Sequence, residues 1–233
     1  VPAPCPVLCQ NTSNSGNCPS RTSLDAAGNV YVANRAFDIQ GSVTKIANVA
    51  GVTFAEEQAG YLAGALAALQ SKSGKIGFVG GMDVPVIHRF KLGYEAGAKA
   101  TNPKIKIVSG YTGSFTDSAK GREVATAQFQ QGVDIAFQAA GASGLGVIDA
   151  AKASKKMAIG VDADQNYIAP EFVLSSALKN VDMAVYKVVE EVTTGKFVGG
   201  NQKLTFKDGA VGLAPFYEDD AKVSAATKKQ LDA

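Results

Sequence analysis

The chain has 233 residues, of which 46% are hydrophobic and 19% charged, so it is long enough for one large or two small globular domains. Its net charge of +2 comes from 23 basic and 21 acidic residues spread along the sequence, which argues against nucleic acid as a partner. Because no apolar run reaches the roughly 20 residues that span a bilayer, and no basic region precedes a hydrophobic stretch at the start, we expect a soluble or processed chain, or a fragment of one.

The N-terminal segment, residues 1–51, differs in composition from the rest of the chain because it holds all the cysteines: Cys5, Cys9 and Cys18. A zinc site would need a fourth ligand, and the single histidine, His88, is far away in sequence. One disulfide plus a free thiol is therefore the favoured interpretation, and it is typical of an exported protein. Which cysteines pair is left open.

Two or three short strands are predicted within residues 20–46, with a turn at Ala27-Gly28-Asn29 followed by β-branched and aromatic residues. The pattern from Asp25 to Asn34 resembles one blade of a β-propeller. A single blade cannot close a ring, so a hairpin that packs on the following domain is at least as good an interpretation.

A helix is predicted for residues 54–69, since acidic residues begin it and apolar residues recur at helical spacing. Gly60 and Gly64 lie on one face of this helix. The segment is too short and too acidic for a membrane dimer motif, so the two glycines predict close packing against another helix.

Five strand-helix units follow, and they predict a parallel sheet with helices on both faces. The strands are predicted at 75–79, 104–109, 134–138, 157–161 and 172–177, and the helices at 85–101, 118–131, 144–154 and 180–194, with an irregular or helical turn near Tyr167. Beyond Gly195 the pattern predicts a β-pair of 203–206 with 211–213, and a closing helix at 219–231. Ligands bind outside the carboxyl ends of parallel strands, so three strand ends, near Asp83, Gly141 and Gln165, are expected to converge on one small molecule.

Six motifs between Val52 and Pro215 carry a family resemblance. They are Glu57-x-x-Gly60-Tyr61-Leu62-Ala63-Gly64, Gly77-Phe78-Val79-Gly80-Gly81-Met82-Asp83, Tyr111-x-Gly113-Ser114-Phe115-x-Asp117, Ala139-Ala140-Gly141-x-x-Gly144-Leu145-Gly146-Val147, Gly160-Val161-Asp162-x-Asp164-Gln165 and Asp208-Gly209-x-Val211-Gly212-Leu213. In this order they resemble the basic membrane protein family. Its members are nucleoside-binding lipoproteins related to the PnrA-type receptors of ABC importers.

The resemblance implies an α/β fold of the type I periplasmic-binding-protein kind, in which two lobes joined by crossover strands close on a ligand. Residues 74–202 are then expected to form a largely complete second lobe, with a parallel sheet and helices on both faces. Residues 52–73 and 203–233 would form the remnant of the first lobe and the crossovers. Nothing in residues 1–51 matches the start of the family, so the first lobe is expected to be truncated and the cleft incomplete.

The resemblance also implies the function: a substrate-binding protein for a nucleoside, expected to be a purine nucleoside, which serves the permease of an ABC importer. It implies a periplasmic or cell-surface location with a lipid anchor in the full-length family. We expect no cofactor and no catalysis, because the sequence lacks a phosphate loop and a serine elbow with a usable histidine. The alternatives are a truncated or fused fragment that binds nothing and self-associates through its exposed first-lobe surface, and a nucleoside-processing enzyme.

Asp162, at a strand end, is the leading ligand-binding candidate. Its carboxylate is expected to accept hydrogen bonds from ribose hydroxyls, as the resemblance also implies, and the alternative role is a helix N-cap. Asp164 is the better cap. Lys179 resembles the cleft lysine of the family, with a solvated surface position as its alternative.

The remaining candidates surround other strand ends. Phe137 and Gln138 are expected to supply an aromatic wall and an amide, although a core position suits Phe137 equally well, and Gly141 offers a backbone N–H with close approach. Two further candidates, Met82 and Asp83, are expected to form the floor of the cleft, although Asp83 also precedes an ordinary helix start at Pro85. Phe115 is expected to stack on a base, or else its loop serves only to cap the next helix.

Overall fold

The computed structural model of the chain describes residues 18–24, 30–35, 42–46, 50–217, 220 and 223–231. In chain order its strands are β1 (Cys18–Leu24), β2 (Val30–Arg35), β3 (Ser42–Ile46), β4 (Ala50–Phe54), β5 (Lys75–Gly80), β6 (Lys106–Tyr111), β7 (Ile135–Ala139), β8 (Met157–Asp162), β9 (Val173–Lys179), β10 (Gly200–Leu204) and β11 (Val211–Leu213). Its helices are α1 (Glu56–Gln70), α2 (Pro85–Thr101), α3 (Ser118–Gln130), α4 (Ser143–Ser154), α5 (Val181–Thr193) and α6 (Ala225–Leu231). None of the described helices combines the length and apolar character that a membrane span requires.

The chain divides into two compact units. Unit 1 comprises Val1–Thr53 and Val185–Lys203, and unit 2 comprises Phe54–Ala184 and Leu204–Ala233. The predicted second lobe, 74–202, shares residues 74–184 with unit 2, whereas the structure groups 54–73 with unit 2 and 185–202 with unit 1. Residues 54–73 belong to unit 2 because α1 packs along α2.

Unit 1 contains two small sheets. The first is antiparallel with the order β1-β2-β3, which confirms the short strands predicted within residues 20–46. The second pairs β4 with β10. Cys5 and Cys9 lie outside the described residues, as does the side chain of Cys18, so the predicted disulfide stays a prediction.

Unit 2 is built on a six-stranded sheet with the order β11-β9-β8-β7-β5-β6. Strands β5 to β9 are parallel, and β11 runs antiparallel to β9. The predicted pairing of 203–206 with 211–213 is therefore wrong, because β10 pairs with β4 while β11 occupies the edge of β9. There, β11 satisfies backbone groups that would otherwise be unpaired, and the N–H of Ala214 extends the contact by donating to the carbonyl of Ser176 at 2.9 Å.

Helices cover both faces of this sheet, as predicted. Side chains alternate along β5, so Phe78 points toward α2, where its ring centroid lies 6.1 Å from that of Tyr94. The adjacent Gly77 faces α3, and a Cβ there would lie 2.2 Å from Oε1 of Gln128. Both faces of β5 are thus buried, which explains why its sequence is a continuous apolar run rather than an alternating one.

Helices α1 and α2 meet through glycines, in agreement with the close packing predicted from Gly60 and Gly64. A Cβ at Gly64 would lie 2.0 Å from the carbonyl oxygen of Tyr94, and one at Gly97 would lie 2.0 Å from that of Tyr61. No side chain fits at these positions, so the two backbones are in direct contact.

Candidate functional site

A cavity of about 190 Å³ opens at the carboxyl ends of the parallel strands of unit 2. In this sheet β5 lies between β6 and β7, so the chain reverses its direction of travel across the sheet at β5, which is where open α/β sheets bind ligands. Four predicted residues line the cavity with five others, and together they are Val86, Ile87, Phe90, Phe115, Ala139, Gly141, Val161, Asp162 and Lys179.

Asp162 and Lys179 form the charged side of the cavity. Each is the last residue of its strand, β8 and β9, and these strands are neighbours in the sheet. The Lys179 Nζ lies 3.0 Å from Oδ1 of Asp162 and 6.0 Å from the ring centroid of Phe54. The side chain of Asp162 is 49% exposed against 21% for Lys179. The lysine therefore holds a carboxylate that remains open to a ligand hydroxyl.

The backbone of Asp162 is left-handed, with φ of 64°. This region is disfavoured for residues with a Cβ, although aspartate tolerates it better than most because its short polar side chain can hydrogen-bond locally. Strained residues of this kind cluster at functional sites, since the surrounding structure must hold them in place. The sequence contained no signal for this conformation.

Phe115 reaches the cavity because two glycines make room for it. A Cβ at Gly81 would lie 2.4 Å from Cδ1 of the Phe115 ring, and one at Gly141, where φ is 58°, would lie 3.0 Å from the Phe115 carbonyl oxygen. The same loop also caps a helix, since Oδ1 of Asp117 accepts the N–H of Lys120 at 3.0 Å. The loop therefore caps α3, as its alternative role predicted, and it also places the Phe115 ring at the cavity.

Phe137 lies in the core rather than at the cavity. Its side chain is fully buried, and its ring packs edge-on against Phe78 at 5.7 Å and Phe90 at 6.0 Å between centroids. The cause is that β7 is a central strand covered by helices on both faces. This placement corresponds to the core alternative and gives Phe137 no surface for a ligand.

Gln138 is also fully buried, and its amide supports the loop that carries Asp162. Its Nε2 donates to Oε1 of Gln165 at 2.6 Å, and that oxygen also accepts the N–H of Val161 at 3.1 Å. The N–H of Gln165 donates in turn to the hydroxyl of Ser176 at 3.0 Å. Gln138 therefore supports the Asp162 loop through Gln165. Gln165 belongs to one of the six motifs, although it is not among the predicted ligand-binding residues.

Met82 and Asp83 follow β5 but do not line the cavity. Met82 is 44% exposed, and the carboxylate of Asp83 contacts the ring of His88 on α2. At the cavity, α2 contributes Val86, Ile87 and Phe90 in place of these two residues. Asp164, predicted as an N-cap, lies one residue before Gln165, the N-cap of the short 3₁₀ turn Asn166–Ile168, and its Oδ1 accepts the N–H of Asn166 at 3.0 Å.

The apolar wall from α2 was missed by the sequence reasoning. Ile87 and Phe90 are 5% and 2% exposed, so they have the composition and spacing of ordinary core residues. Their only distinguishing signal was position, since they lie in the first turns of the helix that directly follows β5.

The cavity offers one carboxylate, one ammonium group, an aromatic ring and an apolar wall. A carboxylate accepts hydrogen bonds from hydroxyl groups, and an aromatic face stacks on a planar ring. Within the described part of the chain no three His, Cys, Asp or Glu side chains are grouped so as to hold a metal ion. The arrangement therefore suits the binding of a polar molecule that has both hydroxyls and a flat ring.

Comparisons with known proteins identify the family, and the match begins earlier in the chain than the resemblance that starts at Val52. A family model described as "ABC transporter substrate-binding protein PnrA-like" matches residues 31–233. Basic membrane protein D of Borreliella burgdorferi (strain JD1) is 46% identical over 170 residues, which is 71% of this chain and 50% of that protein. The ABC transporter nucleoside-binding protein BmpA of Lactococcus lactis subsp. cremoris (strain MG1363) is 41% identical over 184 residues, 71% of this chain and 52% of that protein.

A solved structure agrees with the fold. The ABC transporter solute-binding protein from Aeropyrum pernix K1 superposes with a TM-score of 0.68 at 32% identity, covering 78% of this chain and 54% of that one. The α/β fold of solute-binding proteins is thus confirmed. The chain spans about half the length of the curated relatives it matches.

Proposed function

Since the chain belongs to the PnrA-like family of ABC transporter substrate-binding proteins, we propose that it binds a nucleoside, of the purine class, at the cavity of unit 2. It acts as a receptor that delivers its ligand and does not transform it. The observation that carries the proposal is the Asp162–Lys179 pair, with its Oδ1–Nζ distance of 3.0 Å at the carboxyl ends of two adjacent strands.

Each part of a nucleoside has a matching group in this cavity. The half-exposed carboxylate of Asp162 suits two vicinal ribose hydroxyls, which a carboxylate accepts with its two oxygens. The ring of Phe115 suits the flat face of a base. The name of the Lactococcus relative, a nucleoside-binding protein, supports the same class of ligand.

The proposed partners follow from the family. The chain delivers its nucleoside to the permease of an ABC importer, from the periplasm or the outer cell surface. A lipid anchor on the full-length protein would keep the receptor near that permease.

The function is tested by calorimetric titration of the purified chain with adenosine, guanosine, inosine and uridine, with free ribose and adenine as part-ligands. We expect heat and a rise in melting temperature with purine nucleosides, since a ligand that binds only the folded state stabilises it, and weaker binding of either part-ligand. Chromatography of the same samples should recover the nucleoside intact. Absence of binding by all four nucleosides, or appearance of a free base, would contradict the proposal.

The role of Asp162 is tested by replacing its carboxylate with an amide. We expect Asp162→Asn to weaken nucleoside binding by about 1 to 3 kcal/mol, the cost of poorly satisfied hydrogen bonds in a buried contact. Asparagine tolerates the left-handed backbone, so the fold is retained. Asp164→Asn, two residues along the same loop, is the matched control and should bind like the wild type. An unchanged affinity in Asp162→Asn would remove this residue from the site.

A second candidate, a fragment that associates with itself, is favoured by one observation on α5. In unit 1 this helix exposes an apolar stripe formed by Val185, Val189 and Val192, each between 54% and 57% exposed. Such surface is uncommon on a monomer and marks contacts with other chains.

A further inference from the structure

A second pocket lies at the amino-terminal ends of the unit 2 strands, opposite the first cavity, where the strands begin and the helices end. Its volume is about 600 Å³, within the range of small-molecule sites. It lies between the loops that lead into β5, β7 and β8, and its lining residues are Gln70, Lys72, Ser73, Asp134, Ile135, Lys155, Lys156, Met157 and Leu174. The cavity at the carboxyl ends has none of these residues in its lining.

Three lysines form the rim of this pocket. Lys72 and Lys155 are exposed and Lys156 is half-buried. No ammonium group of the three has an ion-pair or hydrogen-bond partner among the residues that the structure describes. Three unpaired cations around one concave surface create a local field that attracts anions.

The single carboxylate in the pocket, Asp134, offsets only one of these three positive charges. Its two oxygens accept hydrogen bonds from the hydroxyl of Ser71 at 2.8 Å and from the backbone N–H groups of Lys72 and Ser73, both at 2.7 Å. The carboxylate is thus committed to closing the loop between α1 and β5. With three ammonium groups and one carboxylate, the pocket retains a net positive charge.

Helix dipoles explain only part of this arrangement. Lysines are favoured near helix C-termini because they offset the partial negative charge there, and Lys152 in the last turn of α4 fits that explanation. Lys155 and Lys156 lie beyond that turn, and Lys155 has a left-handed backbone with φ of 53°, where glycine or asparagine would be unstrained. Lys155 is the C-cap residue of α4, and this cap geometry does not itself require a lysine.

The floor of the pocket is apolar. It includes Ile135 and Leu174, which are each 3% exposed, together with the side chain of Met157. A cationic rim over an apolar floor is complementary to an anion that carries an apolar portion.

We propose that this pocket is a binding site for a phosphate ester, whose phosphate group is held by Lys72, Lys155 and Lys156 and whose apolar portion covers Ile135 and Leu174. This inference is independent of the nucleoside proposal, since it concerns the opposite ends of the strands. The ester is either a free solute or the headgroup of an anionic phospholipid, and both present the same chemistry to the pocket.

The test uses phenyl phosphate as the soluble probe, with inorganic phosphate and phenol as its two halves, in calorimetric titrations of the full chain. We expect phenyl phosphate to bind more tightly than either half. Lys72→Gln/Lys155→Gln/Lys156→Gln should weaken its binding by at least about tenfold, equivalent to 1.4 kcal/mol. The matched control is Lys99→Gln/Lys104→Gln/Lys106→Gln. It removes three exposed lysines near the end of α2 and the start of β6, which lie outside the pocket.

The outcomes separate a built site from general attraction. Loss of binding in the pocket variant alone supports the proposal, whereas equal loss in both triple variants, or no binding by the wild type, overturns it. Retained binding in Asp162→Asn is expected, and a loss there would transfer the site to the other cavity and so overturn the proposal as well.

A vesicle arm identifies the source of the ester. Flotation with vesicles of phosphatidylglycerol, compared with phosphatidylcholine, should retain wild-type chain but not the pocket variant if the ester is a lipid headgroup. Binding of phenyl phosphate without retention by vesicles supports the same site with a soluble ligand.

Discussion

Asp162 combines three properties: a strand end, a left-handed backbone and a charged partner at 3.0 Å. The left-handed conformation turns the chain sharply after β8. Gln165 then returns beneath it and bonds to Val161, so the loop is closed within four residues. The position of the carboxylate is therefore determined by the backbone as well as by Lys179.

The cost of that conformation is measurable. Asp162→Gly and Asp162→Ala both remove the carboxylate, but only alanine keeps a Cβ at φ of 64°. We expect the glycine variant to be more stable than the alanine variant by about 1 kcal/mol, because the left-handed region is strained for an L-residue. Urea denaturation gives both values. At Asp164, where φ is not positive, the order should reverse, and the same order at both positions would mean that Asp162 is not strained.

Tyr94 gives a pH-dependent prediction. Burial, and to a lesser degree the negative charge of Asp134, holds the pKa of Tyr94 well above its ordinary value of 10.0. Above pH 10 the unfolded chain loses this proton while the folded chain keeps it, so the contribution of Tyr94 to stability is complete below pH 10 and declines as the pH rises further. Its hydroxyl also lacks a hydrogen-bond partner among the described residues.

Tyr94→Phe should therefore flatten the alkaline decline in stability by up to about 1.4 kcal/mol per pH unit, and cost little at pH 7. Urea denaturation between pH 8 and pH 11 measures the slope. Tyr186→Phe, at a side chain that is 67% exposed on α5, is the control for loss of a hydroxyl and should keep the wild-type slope. Identical slopes for wild type and Tyr94→Phe would show that Tyr94 does not contribute.

At the scale of elements, the contact between α1 and α2 is determined by four glycines arranged reciprocally. Gly60 and Gly64 of α1 face backbone carbonyls of α2, and Gly93 and Gly97 of α2 face those of α1, with hypothetical Cβ atoms 2.0 to 2.3 Å from the oxygens. The obstructing atoms belong to backbone, so they cannot rotate away. Each glycine therefore costs helix propensity but permits the close contact.

Gly64→Ala and Gly97→Ala should each destabilise unit 2 by about 1 to 3 kcal/mol, the usual cost of forcing extra atoms into a packed interface. This outcome is opposite to the gain that alanine gives on an exposed helix. Thermal and urea denaturation measure it. Ala96→Ser, which adds one atom at an exposed position of α2, is the control. Stabilisation by either alanine would show that the helices can separate without loss.

Most elements of unit 2 could be predicted because their local signals agree with their environment. The helix predicted at 85–101 has those bounds in the structure, and the strand predicted at 75–79 extends by one residue to Gly80. The partner of β11 could not be predicted. Two nearby strands around Asp208-Gly209 indicate a hairpin locally, but the unpaired edge of β9 competes for β11, and that edge exists only in the folded sheet.

Among the residues that line the cavity, the two charged ones at strand ends could be predicted from the sequence, and the apolar ones of α2 could not. Asp162 and Lys179 could be predicted because each is a charged residue at the end of a buried strand, although Asp83 after β5 gives the same signal and does not line the cavity. Phe137 and Phe90 are both apolar and almost fully buried, so no local pattern separates a core ring from a cavity wall. Their difference arises from tertiary position alone.

At the scale of the whole molecule, the chain exposes apolar surface on α5 while it spans about half the length of its relatives. For the second candidate function, a self-associating fragment, we expect association to depend on this stripe. Val185→Gln/Val189→Gln should reduce the average mass in light scattering, since the two side chains are 57% and 54% exposed and removing them disturbs no core. Lys187→Gln, on the same helix, is the control. An unchanged mass distribution in the double variant would exclude the stripe as the contact.

The antiparallel strand β11 has a consequence for how the protein is made. Its partner β9 ends at Lys179, and roughly thirty residues must be synthesised before Val211 is available to pair with it. At a typical 5 to 20 residues per second, β9 of the nascent chain therefore lacks its β11 partner for about 2 to 6 seconds. An open edge is a template for wrong pairing, so translation speed across residues 180–210 should govern how much newly made chain reaches the native state.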